Sequence, residues 1–114
     1  MVRKLKYGNR KTEVDGILFD SKKEAAYYCE LKLRKKAGDI FNFDLQPVYE
    51  LQTAFRDNSG KHIRAITYKA DFVVYEDGKT TIVDVKGMKT EVFKIKWKML
   101  KYKYRERGYE FLLV

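Results

Sequence analysis

The sequence predicts an α/β or α+β fold, a mixed sheet with helices packed on it, and three observations lead there. Two segments carry helical periodicity closed by glycine, one between Ser21 and Gly38 and one ahead of Gly108. Runs rich in Val, Ile, Thr and aromatic residues lie between and beyond them, punctuated by Asp-Gly pairs. Hydrophobic residues make up 45% and aromatics 15% of the 114 residues, enough apolar surface for one layered core and too little chain for two.

Residues 1–11 are basic and polar and read as an arm ahead of a single domain over 12–114. Val14-Asp15-Gly16-Ile17 puts a turn signal between short apolar pieces, which predicts a small hairpin ending at Phe19. Ser21-Lys22-Lys23-Glu24 is a capping box; helix formers follow through Ala37, and Gly38 stops the helix. With about 100° between successive residues, Glu24 falls between Tyr28 and Leu31, within the partly apolar face, and can look towards the sheet. Cys29 shares an arc with Ala25 and Leu33 and is expected to be a buried small hydrophobe. It is the single cysteine, so it forms no internal disulfide and has no second thiol with which to hold a structural zinc.

Val48 to Phe55 then reads as a strand, Arg56 to Lys61 as a turn, and His62 to Glu76 as a long second strand. Asp77-Gly78 turns the chain, Lys79 to Lys86 forms a third strand, and Gly87 breaks it. A second helix runs from about Glu91 to Arg107, and Tyr109 to Val114 is a short apolar strand. After the first hairpin the order is α-β-β-β-α-β. On the second helix Phe93, Trp97, Leu100 and Tyr104 form a core strip, which Lys96 and Lys103 divide from a second strip of Val92, Ile95, Met99 and Tyr102. The sheet is expected to take one strip and a second copy of the chain the other, giving a homodimer with the lysines snorkelling between.

Lys and Arg number 25 against 16 Asp and Glu, a net charge of +9 that favours a polyanionic partner such as nucleic acid. Lys94, Lys98, Lys101 and Arg105 follow helical spacing and form a basic stripe, with Lys89 just before it. From Lys86 to Arg105 eight basic residues face one acid, Glu91, which points to contact with a DNA backbone. Apolar runs fall short of bilayer length and the N-terminus lacks the apolar stretch of a signal peptide, so a cytoplasmic protein without membrane partners is expected. His62 has no partner His or Cys and is assigned no chemistry.

A two-residue loop at Asp77-Gly78 sets Glu76 opposite Lys79 and, by the same register, Asp71 opposite Asp84. Cross-strand partners share a sheet face about 5 Å apart, and two like charges so placed destabilise a hairpin unless something compensates. Lys86, two residues beyond Asp84, points to that same face. Two carboxylates and an ammonium suit Mg²⁺ or Mn²⁺, which takes one or two carboxylates, keeps waters and binds phosphate oxygens. Metal-assisted phosphodiester hydrolysis is the chemistry that follows, with Lys86 positioning water or supporting developing charge.

These residues resemble the PD-(D/E)XK nuclease superfamily: Tyr68-Lys69-Ala70-Asp71-Phe72 looks like its first acidic motif, and Val83-Asp84-Val85-Lys86-Gly87 like its D-x-K motif. Ala70 stands where the superfamily name has proline. Together with Phe19-Asp20-Ser21-Lys22-Lys23-Glu24-Ala25 and Leu45-Gln46-Pro47, they are similar to small phage and prophage proteins of unknown function placed in that superfamily. The resemblance implies a restriction-endonuclease-like core and a catalytic set of Glu24, Asp71, Asp84 and Lys86. Its metal ligands would be Glu24, Asp71 and Asp84. It further implies a Mg²⁺- or Mn²⁺-dependent DNA endonuclease that leaves 5′-phosphate ends, works on branched DNA in the manner of a Holliday-junction resolvase, and acts in a host cytoplasm if phage-encoded. From the residues alone, Glu24 reads first as a capping-box acid, and Gln46 equally as an amide at the start of a strand. A non-catalytic basic module that binds nucleic acid through phosphates is the alternative, and a membrane-surface binder a weaker third.

Overall fold

The protein is described here by a computed structural model that covers residues 10–85 and 89–114. β1 (Thr12–Val14) and β2 (Ile17–Phe19) pair antiparallel through Asp15 and Gly16, whose φ angles of 55° and 77° are those a two-residue hairpin turn requires. The Asp15 carboxylate accepts the Tyr28 hydroxyl at 2.9 Å and pairs with Lys32, which ties the hairpin to the first helix. The Lys32 ammonium, and after it the Tyr28 hydroxyl, hold the Asp15 carboxyl below its ordinary pKa. The tie is therefore complete above the ordinary carboxylate range and is lost as the pH falls through the lowered value.

α1 (Lys22–Ala37) begins at Ser21, whose Oγ accepts the Glu24 N–H at 3.1 Å. It closes at Gly38, φ 84°, with Gly38 N–H bonded to Lys35 O and Asp39 N–H to Arg34 O, the pattern of a Schellman motif. Its buried residues are Glu24, Ala25, Tyr28 and Leu31. Cys29 is exposed, which corrects the expectation of its burial; on the same arc Leu33 is exposed and Ala25 buried. The sheet covers one side of α1, and Cys29 and Leu33 lie about 140° and 180° round the helix from Glu24, beyond its reach.

The strands that follow are β3 (Asn42–Leu45), β4 (Val48–Gln52), β5 (Phe55–Arg56), β6 (His62–Ile63), β7 (Ile66–Lys69), β8 (Phe72–Glu76) and β9 (Lys79–Asp84). α2 (Glu91–Lys103), a 3₁₀ turn at Arg105–Arg107 and β10 (Glu110–Leu113) complete the chain. Two predicted strands are thus corrected: 48–55 divides into β4 and β5, and 62–76 into β6, β7 and β8. β3 is an additional strand. The second helix gives way to the 3₁₀ turn, and β9 is described only to Asp84, with Lys86 outside the described residues.

A bend in the ladder is the cause of most of these differences. β3 pairs with β8 and β4 with β7 in one continuing antiparallel register, from Asn42 opposite Tyr75 to Val48 opposite Lys69. At the junction Gln46 has φ 49°, its N–H donates to Asp71 O at 2.9 Å, and Ala70 N–H donates to Pro47 O at 3.0 Å. Ala70 packs with the α2 cluster and Phe72 with the α1 cluster, although two residues apart in a strand share a face. The strand therefore turns over at Asp71.

β10, β9, β8 and β3 form a four-stranded sheet in that order, β9 and β10 parallel and the other pairs antiparallel. Phe72, Val74, Val83 and Val85 face α1, and Val73 and Ile82 face α2, so each helix covers one side. Counting β3 with β4 and β7 with β8 as two bent arms, the order from α1 is the predicted α-β-β-β-α-β. On α2, Phe93, Trp97 and Leu100 are buried, whereas Val92, Ile95 and Tyr102 of the second strip are more than half exposed. Lys96, between the strips, donates from Nζ to Thr67 O at 3.0 Å. Among the described residues no helix is long and apolar enough to cross a membrane.

Because the Ser21 cap satisfies an N–H that the helix itself cannot, Ser21→Ala should lower stability by about 1 kcal/mol. Urea denaturation checks this, and an unchanged midpoint contradicts it.

Candidate active site

Asp84 ends β9, the strand flanked on both sides by β8 and β10, and its side chain is fully buried at 0% exposure. Its own carbonyl accepts the Val114 N–H at 2.9 Å, which carries the β9–β10 pairing to the chain end. Glu24 is 3% exposed in the first turn of α1. Among the described residues, which contain all sixteen Asp and Glu of the chain, these two are the only buried acids. Burying a carboxylate is unfavourable unless it is paired, hydrogen-bonded or bound to a cation, so each of these two acids marks a point where charge is held for a reason.

Asp71 lies where the ladder turns over. The β8–β9 register runs from Glu76 opposite Lys79 to Phe72 opposite Val83, the register predicted from the Asp-Gly loop. One residue further on, Asp71 leaves the ladder: its N–H reaches Val83 O at 3.2 Å, and its Oδ2 accepts the Val85 N–H at 2.6 Å. The carboxylate thus takes the place of a backbone acceptor on the amide that follows Asp84, which brings the two aspartates together at one end of the sheet.

Ala25, next to Glu24, belongs to the cluster that also holds Phe72, Val83 and Val85, the sequence neighbours of Asp71 and Asp84. Ser21 supplies the cap, as expected. Among the described residues no three His, Cys, Asp or Glu side chains form a group arranged to hold a metal ion. Asp71 and Asp84 nevertheless provide the hard oxygen donors of a Mg²⁺ site, which needs only one or two protein carboxylates beside its waters. Lys86 lies outside the described residues.

Lys89, Lys94, Lys98 and Lys101 are exposed and rim one hollow, together with Phe93, Trp97 and Leu113. Leu113 pairs with Asp84 across β10 and β9, so the basic rim begins one strand away from the buried acid. Arg105 does not join it. Its guanidinium lies over the Tyr102 ring at 4.0 Å and donates to Tyr102 O at 2.6 Å, on the 3₁₀ turn. His62 is exposed, at the start of β6. Two contributors were not assigned from sequence. Gln46 positions Asp71 through its backbone, for which the Gln-Pro pair was the signal, and Leu113 gives no signal until the parallel register is known.

Fold and site together define a small mixed α+β domain with the buried Asp84 and the half-buried Asp71 at one sheet end and a lysine-rimmed hollow one strand away. The family "Protein of unknown function (DUF1064)" matches residues 4–112, and the chain belongs to that family. No curated protein and no solved structure matches it.

Asp71→Ala strips the buried Val85 N–H of its acceptor and should destabilise by about 1–3 kcal/mol, whereas Asp71→Asn keeps an acceptor oxygen and should lose clearly less. Denaturant midpoints of the two variants test this, and equal losses contradict it.

Proposed function

We propose that this protein is a metal-dependent DNA endonuclease that hydrolyses phosphodiester bonds. One observation carries the reading: of sixteen acids, the two that are buried are Glu24 and Asp84, both singled out as ligands by sequence motif. The Asp71 carboxylate, bonded to the amide after Asp84, adds the third member. A protein that only bound phosphates would gain nothing from burying negative charge beside its basic surface.

In this reading Asp71, Asp84 and Glu24 hold Mg²⁺ or Mn²⁺. When bound, the cation supplies positive charge next to the scissile phosphate and acidifies a water. Asp71 stays fixed because its second oxygen is engaged by Val85, and Asp84 because the sheet encloses it. Lys86, two residues beyond Asp84 in sequence, steadies the attacking water or the charge that develops on phosphorus. Lys89, Lys94, Lys98 and Lys101 bind the phosphates that flank the cut, with net charge +9 behind them. Branched DNA is the proposed substrate and 5′-phosphate the proposed product end. A second copy of the chain is the proposed occupant of the exposed Val92, Ile95 and Tyr102 strip.

The test is cleavage of labelled duplex, flap and four-way DNA with Mg²⁺, Mn²⁺ or EDTA. Cleavage is expected with either metal and not with EDTA. Asp84→Ala and Lys86→Ala should each abolish product while retaining most DNA affinity, which comes from the distributed basic surface. Full activity in either variant, or equal cleavage in EDTA, overturns the reading.

A further inference from the structure

We propose that the hollow between α2 and β10 is a nucleobase pocket, in which an unpaired base of single-stranded DNA lies against Trp97. The proposal rests on the nuclease reading for its choice of DNA, and deepens it by naming the part of the substrate that is held.

The pocket has a floor of Phe93, Trp97 and Leu113 and a rim of Lys89, Lys94, Lys98 and Lys101, with no acid in its lining. Its volume is about 230 Å³. Sites for drug-sized ligands run to roughly 300–1,000 Å³, so this one suits a single planar ring system. The floor is rigid: Phe93 stacks on Trp97 at 5.7 Å and 28°, while Tyr68 and Phe111 meet the indole edge-on at 5.9 Å and 5.8 Å. Those three rings hold the indole so that the part of its surface under Lys101 keeps one fixed orientation.

What lies over that ring now is a cation. The Lys101 Nζ is 5.8 Å from the Trp97 ring centroid, on an exposed and flexible side chain. A base entering the pocket takes the ammonium's place over the indole and the ammonium turns to the phosphate of the same nucleotide, so neither partner is left without a counterpart. Charge complementarity sets the occupant, because four lysines around an apolar floor match a ligand that is anionic at its edge and aromatic at its centre. Paired bases in a duplex are stacked on one another and cannot enter. Leu113 stands opposite Asp84, so the bound nucleotide lies next to the acids proposed to act on the strand.

Trp97 is the only tryptophan of the chain, so its fluorescence reports this pocket alone. The intact protein in EDTA is titrated with four ligands of equal length: oligothymidylate, the same strand made abasic, a paired duplex and oligouridylate. Binding is followed in parallel by anisotropy of an end label. The expected result is quenching of Trp97 by oligothymidylate, little quenching by the abasic strand or the duplex even when bound, and at least about fivefold tighter binding of the base-bearing strand than of the abasic one. Equal quenching by the abasic strand, binding without quenching, no binding, or stronger quenching by duplex overturns the proposal. Tighter quenching by oligouridylate overturns the choice of DNA.

Trp97 is itself part of the core, so the variant used is Lys101→Ala on the exposed face of α2. It should shift the emission of the free protein and weaken oligothymidylate binding about threefold or more; an unchanged spectrum and affinity would overturn the arrangement. Because the titration contains no metal, its outcome is independent of cleavage: quenching by a protein that fails to cleave DNA in Mg²⁺ or Mn²⁺ would sink the nuclease reading and leave the pocket standing. Cleavage without quenching would do the reverse.

Discussion

The arrangement depends on the bend in the antiparallel ladder where Gln46-Pro47 meets Ala70-Asp71. Proline removes one ladder donor, Gln46 takes a left-handed φ of 49°, and two backbone bonds across the junction keep the register intact while the direction changes. The consequence is that Ala70 faces α2 and Phe72 faces α1. Asp71 falls at the turnover itself, too far round to pair as a ladder residue and close enough for its carboxylate to take the Val85 N–H. Without the bend the two halves of this strand would present one face throughout, and the acid would point along a regular sheet surface instead of meeting the end of β9.

This bend also explains what the sequence did and did not disclose. Both helices are legible because their signals are local: Ser21 as a cap, Gly38 and Gly108 as stops, and apolar spacing between. The β8–β9 register is legible because a two-residue loop determines it. β3 is not, since Asn42-Phe43-Asp44-Leu45 contains two residues poor in strand propensity and becomes a strand only by pairing with β8, some thirty residues away. Nor is the division of 62–76, because Tyr68, Ala70 and Phe72 follow strict alternation and look like one face. The burial expected of Cys29 fails for a related reason: helical spacing identifies an apolar arc but not how much of it the neighbouring layer covers.

At the site, the acids were legible and their surroundings were not. Asp84 among Thr81, Ile82, Val83 and Val85 is conspicuous in any strand, and the capping box draws the eye to Glu24. Trp97 reads as core from the helical wheel, and most of it is core. That its last exposed edge opens on a hollow depends on where β10 ends, and β10 is positioned by parallel pairing with β9 through α2. The same crossover that completes the sheet therefore sets a lysine-rimmed aromatic floor one strand from the buried Asp84, and the basic stripe of α2, legible as charge, acquires a shape.

The central claim is that the Asp84 carboxylate at the end of β9 is buried to hold a cation. Thermal melting of the wild type and of Asp84→Asn, each in EDTA and in Mg²⁺, tests it most directly. Asparagine keeps the shape and removes a buried charge, so in EDTA the variant should melt at or above the wild type. Mg²⁺ should raise the wild type by mass action and the variant much less, because a ligand is gone. If Asp84→Asn instead melts well below the wild type in EDTA and Mg²⁺ stabilises both alike, Asp84 is a structural acid and the account is wrong.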